Sequence, residues 1–214
     1  MTAFTVLLSG AMTPTDRLAA QIAGSRVVAA DGGMRHAAAL GLSPEVWVGD
    51  FDSTPQDLFD AWPDTPREPY PRAKNATDGE LAVDMAIARG ATSLTVIGAL
   101  GGERTDHAVM HLLLALSLAK RRMPTLLTSG DEEAQALLPG TLSVDLPRHA
   151  LFSILPFSPL SGLTIEGALY PLDNAEIEAG SSRTISNVAL GPIKITLSSG
   201  RAMLIARPFD MTGA

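Results

Sequence analysis

Four short segments of this chain gather carboxylates, glycines and cations: Asp31-Gly32-Gly33, Gly49-Asp50-Phe51-Asp52-Ser53, Lys74 with Thr77-Asp78, and Gly101-Gly102-Glu103-Arg104-Thr105-Asp106. Asp50 and Asp52 lie two positions apart on an expected turn, a spacing that lets both carboxylates face one ion, and Asp78 opens a helix that could bring a third. A donor set of oxygen alone, without His or Cys, favours Mg²⁺ over zinc, and Mg²⁺ shares its coordination sphere with water and substrate phosphates. Glycines let backbone amides approach a polyphosphate, the first turn after Thr77 presents free N–H groups, and Lys74 and Arg104 can bind phosphate oxygens. The chain has no Gly-x-x-x-x-Gly-Lys-Ser/Thr loop, so the pattern points to a metal-centred nucleotide site rather than a P-loop. The plainer reading makes each Asp-Gly pair a turn, but repetition at four neighbouring strand ends favours a site.

The elements that must position these residues read as a parallel α/β layer. Up to about residue 128, β-branched runs at 4–9, 26–30, 46–48, 93–97 and 125–128 alternate with helical stretches. In such a sheet ligands bind beyond the carboxyl ends of the strands, which is where the four segments fall. Thr13-Pro14-Thr15-Asp16 and Thr54-Pro55 predict cap-then-proline helix starts, Thr77 to Glu80 predicts a capping box, and the longest helix is expected from about His107 to Arg122. The proline-rich stretch 62–71 reads as a long loop at the edge of the site. After Gly130 the texture changes to short strands at 141–146, 151–155, 193–197 and 202–206, broken by Gly, Pro, Ser and Asn. The expected division is therefore an α/β domain over 1–130 and an all-β domain over 131–214.

Composition narrows the chemistry. There is no cysteine in the 214 residues, which removes thiolate nucleophiles, disulfides and cysteine-ligated metals. The net charge of −7, with no basic stripe, argues against nucleic acid as a partner. The apolar start at 4–11 lacks a basic n-region and reads as a buried strand, and no run approaches eighteen apolar residues, so no membrane association and a cytoplasmic location are expected. His107 and His111 lie one helical turn apart, as two zinc ligands would, but the metalloprotease glutamate is missing and polar packing or substrate contact is the better reading. Glu80 and Asp84 read as a solvated acidic stripe, and Trp47, Trp62 and Tyr70 as core or loop packing.

Taken together, these segments resemble the thiamine pyrophosphokinase family. The resemblance runs through Asp31-Gly32-Gly33, Gly49 to Ser53, Lys74 with Thr77-Asp78 and Glu80-Leu81-Ala82, and Gly101-Gly102 followed by Arg104, Asp106 and His107. In the second half it runs through Phe152 to Pro156, Gly162-Leu163 with Glu166-Gly167, Tyr170-Pro171-Leu172 and Ser186-Asn187. It implies an α/β domain followed by a β-sandwich, a homodimer with sites between subunits, and transfer of diphosphate from ATP to thiamine with release of AMP. Carried onto matching positions, it implies Asp50, Asp52 and Asp78 as Mg²⁺ ligands. Asp31, Ser53, Lys74, Thr77, Arg104 and Asp106 would lie at the ATP site, and Ser186 and Asn187 would face thiamine from the partner subunit. Asp78 and Asp106 are candidate acceptors of the hydroxyl proton. Asn75, Glu103 and His111 depart from the family pattern, His111 standing where asparagine is frequent. A diphosphokinase for another hydroxymethyl heterocycle, such as a pterin, is the nearest alternative, and a non-catalytic nucleotide or thiamine sensor is the alternative from a different class.

Overall fold

The β-branched runs of the first half form parallel strands: β1 (Ala3–Leu7), β2 (Arg26–Ala30), β3 (Val46–Gly49), β4 (Arg67–Pro69), β5 (Ser93–Ile97) and β6 (Thr125–Thr128). They lie side by side in the order β6-β5-β1-β2-β3-β4, every pair parallel. β1, β2 and β3 are buried over nearly their whole lengths, as expected of parallel strands covered on both faces. The computed structural model describes residues 1–52, 54–71, 76–102 and 104–212. It divides the chain into one unit of Met1–His111 with Met123–Gly130 and a second of Leu112–Arg122 with Asp131–Ala214.

Helices join the strands where the sequence signals them. Thr15 caps α1 (Asp16–Ile22), its side chain accepting from Leu18 N–H at 3.1 Å. A 3-10 turn at Asp31–Met34 leads into α2 (Arg35–Ala39), and α3 (Gln56–Ala61) follows Pro55. α4 (Asp78–Ala88) opens with the predicted capping box: Thr77 Oγ1 accepts from Glu80 N–H at 3.2 Å, while Glu80 Oε2 accepts from Thr77 N–H at 3.0 Å. Glu80 therefore closes a helix end instead of forming a solvated stripe, and Asp84 is exposed. α5 runs Thr105–Lys120, starting two residues earlier than its apolar stripe suggests. The expected 62–71 loop contains β4, which pairs with β3 from Trp47↔Arg67 to Gly49↔Pro69. At three exposed residues ending in proline, this strand lies at the sheet edge, where proline is tolerated and where no alternating pattern betrays it. Trp47 is fully buried among Phe51 and Phe59, with Trp62 packed against the same cluster.

The second unit is antiparallel. β7 (Glu133–Leu137), β13 (Ala202–Arg207) and β9 (Leu151–Pro156) pair in series, and β9 meets the start of β12 (Asn187–Leu197). The rest of β12 lies between β8 (Gly140–Val144) and β10 (Leu160–Ala168), with β11 (Leu172–Ile177) outside β10. Phe152, Ile154, Leu163, Ile165, Ile193, Ile195 and Leu204 share one buried core. β10 and β11 escape the sequence reading because Gly162 and Gly167 sit at positive φ and the pairing slips at bulges, which breaks the alternation a strand should show. No helix among the described residues is long and apolar enough to cross a membrane.

Candidate active site

Strand order reverses at β1: the chain goes from β1 to β2, β3 and β4 on one side, then crosses to β5 and β6 on the other. The loops leaving β1 and β5 must diverge there, and the crevice that results is where open α/β sheets bind ligands. A cavity of about 760 Å³ occupies this place. Its walls are the segments after β1 (Leu8 to Ala11), β2 (Ala30, Asp31) and β5 (Gly98, Ala99, Gly101 and Gly102), the first turn of α4 (Thr77 to Gly79), and the α5 end bearing Arg104, His107 and His111.

Three carboxylates meet at this rim. Asp31, Asp50 and Asp78 each offer an oxygen within 4.8 Å of the others, all three half-buried. Each stands one residue beyond a strand or at the first position of a helix, so the sheet brings together positions far apart in sequence. Asp31 is fixed from two sides: its carbonyl accepts from Trp47 Nε1–H at 2.8 Å, and its carboxylate accepts from the Thr54 hydroxyl. Thr54, read from the sequence as a cap, thus serves Asp31, and α3 starts without a side-chain cap. Asp52 does not join the group. Phe51 adopts a left-handed φ of 59° and packs its ring on Trp47, so the alternation that would aim both aspartates one way is broken. Asp52 is exposed, and its main-chain N–H donates to Asp50 Oδ1 at 3.2 Å.

Oxygens that bind one Mg²⁺ at about 2.1 Å stand at most about 4.2 Å apart. The Asp31, Asp50 and Asp78 oxygens, all within 4.8 Å of one another, lie close to that span, and with its all-oxygen donors the set fits Mg²⁺. Around it lie the phosphate-binding features expected from the sequence. Thr77 and Asp78 form the α4 N-terminus, and Gly101 and Gly102 turn in left-handed backbone at the cavity edge. Gly33 lies buried beneath β1, where a Cβ would stand 2.2 Å from the Leu7 carbonyl oxygen. Arg104 forks onto Asp106, Nε to Oδ1 at 2.9 Å and a terminal nitrogen to Oδ2 at 2.8 Å, with both side chains exposed. That hydrogen-bonded guanidinium holds the Asp106 carboxyl well below the usual carboxylate range, which makes Asp106 a poor proton acceptor in this arrangement. Ser53, Lys74, Asn75 and Glu103 lie outside the described residues.

In the second unit Ser186 is exposed at a left-handed φ of 57°, its N–H donating to Ser153 Oγ at 3.0 Å. Asn187 is 5% exposed. Its Oδ1 accepts from Tyr170 N–H at 3.1 Å and Val188 N–H at 2.8 Å, and its Nδ2 donates to the Tyr170 carbonyl at 2.8 Å. The side chain expected to face thiamine is instead clamped on the backbone of Tyr170, whose ring is exposed.

Comparison with known proteins places both halves in one family. The model of the thiamin pyrophosphokinase catalytic domain matches residues 21–127, and that of the family's vitamin B1 binding domain matches residues 141–203. The chain is 31% identical over 151 residues to the thiamine pyrophosphokinase of Bacillus subtilis (strain 168), a match covering 69% of this chain and 70% of that protein. The chain belongs to the thiamin pyrophosphokinase family. Solved structures agree with that membership. A thiamin pyrophosphokinase from Geobacillus thermodenitrificans superposes with a TM-score of 0.81 at 29% identity, covering 100% of both chains. The Bacillus subtilis thiamine pyrophosphokinase structure has the same fold, with a TM-score of 0.85 at 24% identity over 98% of this chain and 100% of that one. Family membership supports an enzyme of the thiamine diphosphokinase type.

Two residues of this thiamin pyrophosphokinase family member line the cavity without having been marked by the sequence. Arg35 donates from Nε to the Gly32 carbonyl at 2.8 Å and adds a cation at the wall. His36, one residue on, is buried and contacts the Gly10 carbonyl through Nε2 at 2.9 Å. The only signal for either was position, a cation and an imidazole directly after the Asp31-Gly32-Gly33 turn. His111, which the sequence left as polar packing or substrate contact, contacts the Ala99 carbonyl through Nδ1 at 2.9 Å, and its ring stands edge-on to His107 with centroids 6.3 Å apart.

Proposed function

We propose that this chain moves the terminal diphosphate of ATP, as one unit, to the hydroxyl of thiamine, giving thiamine diphosphate and AMP in the cavity at the β1/β5 switch point. The observation that carries the reading is the convergence of Asp31, Asp50 and Asp78 beside the α4 N-terminus. In the reaction the thiamine oxygen forms a bond to the β-phosphorus, the bond from that phosphorus to the bridging oxygen of AMP breaks, and the hydroxyl proton leaves. Such a step asks mainly for alignment and for stabilisation of charge on phosphate oxygens. Asp31, Asp50 and Asp78 would hold Mg²⁺, which would supply positive charge to offset that developing on the phosphate oxygens. The N–H groups at the start of α4 and those of Gly101 and Gly102 take phosphate oxygens, and Arg104 turns from Asp106 to the nucleotide when ATP arrives. Asp78, at the helix start, and Asp106, released as Arg104 turns away, are the two candidate acceptors of the proton.

The finer architecture belongs to the same reading. Residues 1–130 act as the catalytic domain, and 131–214 act as a β-sandwich that binds thiamine. Supporting the sandwich is a single buried core that takes residues from the β7-β13-β9 set and from the β8-β12-β10-β11 set. A homodimer is supported by the exposed Val109, Met110 and Leu113 on α5 and by Leu169, Tyr170 and Ile185 in the β-rich unit. The test is to incubate the purified protein with ATP, Mg²⁺ and either thiamine or a hydroxymethylpterin, and to assay AMP and the matching diphosphate. AMP and thiamine diphosphate in equal amounts are expected. Turnover of the pterin alone would redirect the assignment, and ATP binding without turnover of either would make the chain a sensor.

A further inference from the structure

Three histidines line the cavity and no step above uses them; two of the three, His36 and His111, bond a loop backbone. His36 is 8% exposed and His111 half-buried. Each contacts a backbone carbonyl, His36 through Nε2 to Gly10 and His111 through Nδ1 to Ala99, both at 2.9 Å. A carbonyl can only accept, so each contacting nitrogen carries the proton, and the two rings use opposite nitrogens. The accepting residues sit on the two loops that part at the switch point. Those loops touch through their backbones: a Cβ on Gly10 would stand 2.2 Å from the Gly98 oxygen, and one on Gly98 would stand 2.4 Å from the Leu8 oxygen. No side chain fits between them, so a side-chain bond to either loop has to come from outside the contact. The His111 ring also reaches the first turn of α4, where a Cβ on Gly79 would stand 3.5 Å from its Nε2.

We propose that His36 and His111 are positioning residues that hold the β1 and β5 loops in the shape that receives the nucleotide's phosphates, His36 by an Nε2–H bond and His111 by an Nδ1–H bond. This rests on the reading of the cavity as an ATP site. The opposite nitrogens give the idea a sharp test, because the two amide side chains copy them separately. In asparagine the donor nitrogen is bonded to Cγ, as is Nδ1 of histidine, whereas the glutamine nitrogen lies one atom further out, close to the place of Nε2. Asparagine should therefore replace His111 and glutamine should replace His36, and each should fail at the other position.

The experiment makes Ala, Asn and Gln variants at both positions in the full chain. It measures amide hydrogen exchange over 8–11 and 98–102 in the ligand-free protein, and the Michaelis constants for ATP and thiamine with Mg²⁺. His111→Ala and His111→Gln should speed exchange over 98–102 and raise the ATP constant about tenfold, the scale of one lost bond to a partly buried carbonyl, while moving the thiamine constant far less. His111→Asn should recover most of both losses. At position 36, Gln should recover and Asn should not, with exchange read over 8–11. Equal behaviour of Asn and Gln at either position, or unchanged exchange in the alanine variants, would overturn the proposal. A crossed pattern in exchange with no response in the ATP constant would instead show that the loops are held but do not receive the nucleotide, which would count against the ATP reading of the cavity.

Discussion

Replacing Asn187 by alanine separates a residue that touches thiamine from one that shapes its surroundings. The family resemblance implies a substrate contact, whereas the structure shows a buried amide making three bonds to the backbone of Tyr170 and Val188. The orientation of that amide is fixed by its partners, since Tyr170 offers one donor and one acceptor. Alanine removes all three bonds and leaves the Tyr170 N–H and C=O without replacements at a partly buried position. At about 1 kcal/mol per bond, reduced where water can enter, the loss is about 2–3 kcal/mol. For a protein of this size that corresponds to a fall in Tm of about 5–10 °C. Differential scanning calorimetry measures it, and Asn187→Asp should fall between, because the carboxylate still accepts the two N–H bonds but cannot donate to the Tyr170 carbonyl. The apparent Michaelis constant for thiamine should rise in parallel, through a displaced Tyr170. A Tm within about 2 °C of wild type, with a large rise in that constant, would refute the clamp and return Asn187 to direct contact with substrate.

Excess EDTA should abolish activity and Mg²⁺ or Mn²⁺ restore it, and among the single variants Asp31→Asn, Asp50→Asn and Asp78→Asn should each cost about a hundredfold in kcat. Asp52→Asn should cost less than about tenfold, since the main-chain N–H that serves Asp50 survives; an equal loss at Asp52 would restore the ligand set implied by the resemblance. Arg104→Ala should raise the Michaelis constant for ATP and lower kcat with little change for thiamine, and the reverse pattern would reassign the substrates between the two halves. Burial holds both His36 and His111 below the ordinary value of 6.5, against the opposing bonds to Gly10 and Ala99, with the charges of Arg35 and His107 lowering them further and that of Glu80 raising His111. The unfolded chain therefore takes up protons that the folded one refuses, so stability is full above about pH 6.5 and declines as pH falls below it. Urea midpoints between pH 7.5 and 5.5 should drop in wild type and drop less in the His36→Gln, His111→Asn double variant.

Much of the site was legible because its chemistry sits at strand ends, where residue type and topology are coupled. A parallel sheet sends every strand's carboxyl end to one edge, so Asp31, Asp50, Asp78 and Gly101-Gly102 could be grouped from the sequence before any distance was known. The capping box at Thr77 and Glu80 was legible for a similar reason, since it is local and closes within three residues. The choice between Asp31 and Asp52 was not local. It turns on the left-handed backbone at Phe51, and that backbone is stabilised by a ring cluster with Trp47 and Phe59 assembled from β3 and α3. Sequence spacing treats a turn as a smooth alternation and has no means of seeing a reversal held by tertiary packing.

The same limit explains why the polar side chains were read one level short. Thr54 looks like a helix cap, Asn187 like a substrate contact and His111 like polar packing or a substrate contact, because their type advertises hydrogen bonding without naming the partner. In the structure each spends that capacity inside the protein: Thr54 on the Asp31 carboxylate, Asn187 on Tyr170, His111 on Ala99. A buried donor that found no partner would cost more than the bond itself contributes, so a protein that places polar side chains beside a ligand cavity must first satisfy them internally. On the proposed reading, the groups that would meet ATP lie on the rim: the carboxylates of Asp31, Asp50 and Asp78, the amides at the α4 start, and the exposed side chains of Arg35 and Arg104. Those are the residue types whose spacing carried the functional reading from the sequence, while the supporting bonds behind them became visible only once the sheet had brought distant segments together.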